Sequence, residues 1–92
     1  MKESAIETHT IKRVKQLGGF TRKVVYQGRK ASPDRWCFFP GGLLVIIELK
    51  ATGESPDPQQ EDEINTLRAT GMNAHWTDSK QGVDDILRRY FP

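Results

Sequence analysis

The sequence predicts a small α/β fold, a central mixed sheet flanked by helices in the order α-β-β-β-α-β-α. The run from Leu43 ends in Glu48-Leu49-Lys50, is rich in β-branched residues and is too short for a helix, which is typical of a strand covered on both faces. Helical spacing of apolar residues recurs before and after it. The 92 residues are enough for one domain spanning residues 1–92.

The first element is predicted to be a helix from Ser4 to about Gln16, ended by Gly18-Gly19. Ser4 and Glu7 fit a capping box at its start. Glu7 also shares a helical stripe with Ile11 and Val14. Glu7 therefore either closes the capping box or faces inward toward a site, and helical spacing leaves both open.

Two strands and the loop between them come next. A strand is predicted over Phe20–Gln27, a loop over 28–33 and a second strand over Arg35–Phe39, followed by the turn Pro40-Gly41-Gly42. A three-residue turn would place Asp34 opposite Glu48, so that Asp34, Glu48 and Lys50 share one sheet face. A two-residue turn would place Asp34 opposite Leu49, on the other face. We adopt the first register because it gives both carboxylates a shared purpose.

The last three elements have clear boundaries. Asp57-Pro58-Gln59-Gln60 predicts the start of a helix that runs to about Thr70 and ends at Gly71. Gln60 begins its buried side, yet it also fits the third position of a capping box. Two further elements are a strand over Met72–Thr77, with Met72, Ala74 and Trp76 on one face, and a helix over 80–90, with the stripe Val83, Ile86, Leu87 and Tyr90.

The shared face of Asp34, Glu48 and Lys50 carries the candidate chemistry. Two carboxylates with room for water suit Mg²⁺, which prefers oxygen ligands. A lysine beside such an ion can hold an attacking water, and together they suit phosphodiester hydrolysis. The alternative is that Glu48 and Lys50 form a surface ion pair while Asp34 caps a turn.

Charge is unevenly distributed along the chain. Residues 1–35 hold nine Lys and Arg against three acids, whereas the whole chain has a net charge of +2. A basic half predicts contact with a polyanion such as nucleic acid, although a solvated basic face is an equal alternative. The candidate DNA-binding residues are Lys12, Lys15, Arg22, Lys23, Arg29 and Lys30.

Other chemistries lack their residues. His9 and His75 have no partners at zinc-binding spacing, and Cys37, between two aromatic residues, is interpreted as a packing residue. A single cysteine forms no internal disulfide, so a cytoplasmic location is expected. No apolar run approaches the roughly 18 residues of a membrane span.

Ser32-Pro33-Asp34 followed by Glu48-Leu49-Lys50 resembles the PD-(D/E)XK nuclease signature. An ordered set covering nearly the whole chain resembles the VRR-NUC domain, the virus-type replication-repair nuclease. The set comprises Gly18-Gly19, Pro33-Asp34-Arg35, Gly41-Gly42, Val45–Ala51, Pro58-x-Gln60, Leu67 and Gly71. The family often has Gly three residues before the motif Asp, where this chain has Ala31.

The resemblance implies a restriction-endonuclease-like core and a metal site. Asp34, Glu48 and the backbone carbonyl of Leu49 would bind Mg²⁺ or Mn²⁺, and Lys50 would activate water. Gln60 would reach back to the site. Glu7 matches the family's N-terminal acidic position and would complete the site as a further possible metal ligand.

The leading functional hypothesis is a metal-dependent, structure-selective DNA endonuclease. It would act as a homodimer on branched DNA such as four-way (Holliday) junctions, because stand-alone phage and bacterial family members are similar to junction-resolving enzymes that act in this way. The resemblance thus also implies a bacterial or phage-infected host cell. One alternative is a DNA-binding module of the same fold that does not cleave. Another is a structural partner that dimerises through Trp36 and Phe38 and ignores nucleic acid.

Overall fold

The protein, described over residues 1–92 by a computed structural model, has three helices and one four-stranded sheet. The elements are α1 Glu3–Gln16, β1 Phe20–Lys23, β2 Arg35–Phe39, β3 Leu43–Leu49, α2 Pro58–Ala69, β4 Asn73–Thr77 and α3 Lys80–Arg88. The strands lie in the order β1-β2-β3-β4; β1, β2 and β3 pair antiparallel, whereas β3 and β4 pair parallel. The predicted element order and the mixed sheet are confirmed.

A tight turn sets the register of the β2–β3 hairpin. Residues Pro40–Gly42 form a single 3₁₀ turn, in which Gly41 and Gly42 have φ of 85° and 81°, a conformation that glycine adopts without a Cβ clash. Phe39 pairs with Leu43, and the pairing continues to Arg35 opposite Ile47. The predicted three-residue register is therefore confirmed, and it places Asp34 beside Glu48.

The two faces of the sheet are packed differently. Helices α1 and α3 cover one face through a core of ten buried residues: Ile6, Val14, Cys37, Phe39, Val45, Ile47, Leu49, Val83, Ile86 and Leu87. Helix α2 covers the other face, where Ile46, Ile64 and Ala74 form a smaller buried cluster. Successive side chains of a strand point to opposite faces, so Glu48 lies on the α2 face with Ile46.

The start and stripe of α1 differ from the prediction. The helix begins at Glu3, and its N-cap Lys2 makes no side-chain capping hydrogen bond, so the capping box predicted at Ser4 is wrong. The buried stripe is Ile6, Thr10 and Val14, whereas Ile11 is 41% exposed. Thr10 can be fully buried because its hydroxyl donates to the carbonyl of Ile6 at 2.8 Å.

Strand β1 ends at Lys23, four residues before the predicted end at Gln27. Lys23 pairs with Arg35, the first residue of β2, so that no partner strand remains beyond it. The amide of Val24 donates to the carbonyl of Asp34 at 3.3 Å, and the chain then leaves the sheet. The predicted end at Gln27 is wrong because residues typical of strands continue in the sequence after Lys23, where β2 no longer provides a partner strand.

The remaining boundaries follow the sequence closely. Asp57 and Gln60 form the predicted capping box at the start of α2, and Gly71, with φ of 88°, follows its C-terminus. Helix α3 ends at Arg88, slightly before the predicted residue 90, while Tyr90 still packs against the α1–α3 core. None of the three helices is long and apolar enough to cross a membrane.

Candidate active site

The structure brings Asp34, Glu48 and Lys50 together where β3 ends. Glu48 is 2% exposed, and its Oε1 accepts a hydrogen bond from the backbone amide of Asp34 at 3.0 Å. The Nζ of Lys50 lies 3.6 Å from Oε2 of the same carboxylate. Each carboxylate oxygen of Glu48 therefore has a defined neighbour, one on each side.

The backbone around the site is held by strand pairing and packing. Val45, Ile46 and Ile47, just before Glu48, are fully buried, and the amide of Lys50 donates to the carbonyl of Thr77 on β4 at 3.0 Å. Pro33 is also fully buried and restricts the backbone immediately before Asp34. Reactive groups on packed strand ends keep their geometry better than groups on free loops.

Glu48 lies in an unfavourable environment for its own charge. Burial, and next the charge of Asp34, raise the pKa of Glu48 to about 7, although the hydrogen bond from the Asp34 amide and the charge of Lys50 act in the opposite sense. The two carboxylates thus face each other with one ammonium group close by. A cation would relieve this repulsion.

The donor atoms fit a hydrated divalent cation. Carboxylate oxygens are the ligands that Mg²⁺ prefers, and Mg²⁺ usually keeps several waters while using only one or two carboxylates. No group of three or more His, Cys, Asp or Glu side chains is arranged to hold a metal ion. A cation here would therefore rely on Asp34, Glu48, main-chain carbonyls such as that of Leu49, and water.

Glu3, the first residue of α1, was missed in the sequence analysis. Burial and the Asp34 charge raise the pKa of Glu3, Glu7 adds to this rise, and Lys50 and Lys23 counter it. Glu3 therefore lies within electrostatic reach of Asp34 and Lys50. Its spacing of four residues from Glu7 was the available signal, since such residues share a helix face.

Glu7 has a different neighbour from the one expected of a metal ligand. Its Oε1 lies 3.0 Å from Nη2 of Arg35, and Nη1 of Arg35 donates to Oγ1 of Thr21 at 3.5 Å. This ion pair links α1 to β2. A catalytic role for Glu7 stays a prediction.

Gln60 closes the capping box of α2. Its Oε1 accepts from the amide of Asp57 at 3.0 Å, and its own amide donates to Oδ1 of Asp57 at 2.9 Å. The side chain makes no hydrogen bond to Asp34, Glu48 or Lys50. Its reach to the active site stays a prediction as well.

All six candidate DNA-binding residues are exposed, and they come from α1, β1 and the segment after it. Arg22 lies over the ring of Phe20, with its guanidinium carbon 4.6 Å from the ring centre, and Arg29 faces Glu63. The other four, Lys12, Lys15, Lys23 and Lys30, make no ion pair. Their charges are open to an anionic ligand.

Comparison with known proteins gives the family. No family model matches the sequence. The chain is similar to "Putative nuclease p44" of Acyrthosiphon pisum secondary endosymbiont phage 1, with 38% identity over 87 residues, covering 95% of this chain and 92% of that protein. It is also similar to a solved structure described as a VRR_NUC domain, with a TM-score of 0.90, 32% identity and 98% of both chains covered. With the buried Glu48 between Asp34 and Lys50, these similarities confirm the predicted resemblance, and the chain belongs to the VRR-NUC family of nucleases.

Proposed function

We propose that the protein is a metal-dependent DNA endonuclease that hydrolyses phosphodiester bonds in branched DNA, such as four-way junctions. The observation that carries this proposal is the buried carboxylate of Glu48, held between the Asp34 amide and the Lys50 ammonium. Burying a carboxylate beside another acid costs free energy, and carboxylates in such environments cluster at functional sites.

Each residue of the site has a distinct role in this proposal. Asp34 and Glu48, with the backbone carbonyl of Leu49, hold Mg²⁺ or Mn²⁺. When bound, the ion stabilises negative charge on the phosphoryl oxygens and lowers the pKa of water. Lys50 orients the attacking water and steadies the charge that develops. Glu7 and Gln60 would complete the site, Glu7 as a further metal ligand from α1 and Gln60 as a polar group that reaches back from the start of α2.

The exposed cations supply binding to the DNA backbone. Lys12 and Lys15 on α1, Arg22 and Lys23 on β1, and Arg29 and Lys30 after β1 would neutralise phosphates, which makes affinity fall as salt rises. We further propose that the chain pairs as a two-fold homodimer, because paired sites suit paired cuts across a junction. A cytoplasmic location belongs to the same proposal.

A cleavage assay tests the reaction. A four-way junction, a flap and a plain duplex would be incubated with the protein in Mg²⁺, in Mn²⁺ and in EDTA. We expect metal-dependent cleavage, fastest on the junction. Lys50→Ala should slow it by roughly 10²- to 10³-fold, as for the loss of one catalytic group. Glu61→Ala, an exposed change on α2, is the control. No cleavage of any substrate, or full activity of Lys50→Ala, would refute the proposal.

Metal binding can be followed without any reaction. Calorimetric titration with Mg²⁺ should give binding to the parent and none to Glu48→Ala, while light scattering reports the oligomeric state. A DNA-binding module that does not cleave is the second candidate, favoured by the unpaired lysines. It would bind junctions equally in Mg²⁺ and EDTA, and Glu48→Ala would leave its binding unchanged.

A further inference from the structure

Glu63, in the middle of α2, is a second buried acid outside the proposed catalytic set. It is 8% exposed. Its Oε2 accepts a hydrogen bond from the hydroxyl of Tyr26 at 2.9 Å, and its Oε1 lies 3.3 Å from Nη2 of Arg29. A buried carboxylate is costly unless it is paired, so these two contacts explain how it is tolerated.

Both partners of Glu63 belong to the segment that leads into the active site. We call residues 24–33 the basic loop; it leaves the sheet after Lys23 and returns at Asp34. Its two ends are joined, because Ser32 Oγ donates to the carbonyl of Val24 at 2.7 Å. Tyr26 and Arg29 come from between these ends. Glu63 is therefore the attachment of the middle of the basic loop to α2.

The basic loop contains a backbone conformation that needs outside support. Ala31 has φ of 69°, and it is the only residue other than glycine with positive φ. This conformation costs a residue with a Cβ about 1 to 2 kcal/mol. Such strain persists where surrounding contacts hold it, and it occurs often at functional sites.

A cleft lies between the basic loop and the first turns of α2. Its volume is about 370 Å³, and it is lined by Gly28, Arg29, Lys30, Ala31, Gln59 and Asp62. The Arg29 side chain is 70% exposed, so most of its guanidinium is open although one nitrogen faces Glu63. Asp62 is the one acid in the lining. Two cations in a polar, open cleft suit a phosphodiester backbone.

We propose that Glu63 is a positioning residue for DNA binding. Its carboxylate holds the basic loop against α2, so that Arg29 and Lys30 meet a DNA phosphate at this cleft. This inference rests on the proposed function and names one surface that would hold the DNA backbone.

The sign of a charge change makes the proposal testable. Removing any acid from this surface should tighten DNA binding if only net charge matters. Glu63→Gln should instead weaken binding to a fluorescent four-way junction in EDTA by about tenfold, the effect of losing a charge-assisted contact. Tyr26→Phe should weaken it in the same direction by less. Glu61→Gln, an exposed change of equal charge on the same helix, should bind as the parent or tighter.

A second readout separates positioning from simple attraction. Amide hydrogen exchange of the DNA-free protein should show faster exchange in the basic loop for Glu63→Gln and Tyr26→Phe, and no change for Glu61→Gln. In cleavage assays, both loop variants should raise KM while kcat at saturating DNA stays within about twofold of the parent. A purely structural defect would lower the folded fraction, which circular dichroism would detect.

The possible outcomes are distinct. Binding by Glu63→Gln as tight as by Glu61→Gln, with unchanged exchange in the basic loop, overturns the proposal while the nuclease function stands. A parent that neither binds nor cuts DNA removes both. If Glu63→Gln does not fold, Tyr26→Phe decides alone, since it removes one hydroxyl and keeps the ring.

Discussion

The two faces of the sheet divide stability from chemistry. The face under α1 and α3 buries ten hydrophobic residues, whereas the face under α2 buries three. The buried polar residues differ in kind. Thr10, His75 and Thr77 on the first face are not charged at neutral pH, whereas Glu48 and Glu63 on the second are acids. One face holds the fold together, and the other can accommodate the cost of buried carboxylates.

The two faces also differ in how their buried groups make the stability of the fold depend on pH. Burial, with the charges of Arg89 and Arg68, lowers the pKa of His75 to about 4, so the folded protein resists its protonation. The stability tied to His75 is therefore present above pH 6.5 and lost as pH falls toward 4. Glu48, with its pKa raised to about 7, has the opposite effect: stability falls as pH rises from 4.5 to 7. In the metal-free parent the two effects oppose each other.

The largest effect is expected at Glu48. Glu48→Gln should reduce cleavage by roughly 10²- to 10³-fold while it stabilises the metal-free protein at pH 8 by about 2 kcal/mol. The gain arises because a neutral amide replaces a buried charge, and it should vanish below pH 4.5. Urea unfolding in EDTA at pH 4 and pH 8 checks it. Equal stability of parent and variant at pH 8 would contradict the assigned cost.

Next come truncations in the two cores. Leu87→Ala on α3 should lose about 2 to 5 kcal/mol of unfolding free energy, because a fully buried leucine leaves a cavity. Leu67→Ala on α2, where the side chain is only partly buried, should lose about half as much. Urea unfolding at low temperature measures both. Equal losses would mean that the two faces contribute alike to stability.

Substituting His75 separates its contribution to the pH dependence of stability from that of Glu48. Nε2 of His75 lies 2.6 Å from the Tyr90 hydroxyl, a contact that an amide can replace. His75→Gln should remove the loss of stability between pH 6.5 and 4, a change of roughly 2 to 3 kcal/mol at pH 4. Thermal unfolding at several pH values would show it. If the variant lost as much stability between pH 6.5 and 4 as the parent, groups other than His75 would cause that loss.

The smallest effect is expected at Ala31. Ala31→Gly should relieve the positive-φ strain, although glycine also adds freedom to the unfolded chain, for a net gain of about 0 to 1 kcal/mol. DNA affinity should change by less than about twofold, because Glu63 still holds the basic loop. Thermal unfolding and junction binding measure the two quantities. A clear loss of stability would show that Ala31 is not strained.

Local signals in the sequence predicted much of this fold. The Asp57–Gln60 capping box, the turn at Gly41-Gly42 and the apolar run before Glu48 each depend on neighbours in the chain. These local signals were enough to predict that Asp34 lies beside Glu48. The buried face of α1 was less predictable, because Ile11 and Thr10 were both candidates for the stripe that ends at Val14. Thr10 is the buried one, since its hydroxyl donates a hydrogen bond to the carbonyl of Ile6.

Long-range pairing could not be predicted in the same way. The end of β1 depends on where β2 begins, and the partners of Glu7 and Glu63 lie far along the chain in Arg35 and Tyr26. Helix α1 also starts at Glu3, earlier than its capping pattern indicated. These features depend on how elements meet, which no single stretch of sequence contains.

The Pro40–Gly42 turn limits how this gene can change in length. Side chains alternate along β2 and β3, so a one-residue slip of the pairing would move Asp34 to the face opposite Glu48. A slip of two residues would restore the parity. A change of length in this turn therefore keeps the two carboxylates together only where the added or lost residue leaves Phe39 paired with Leu43.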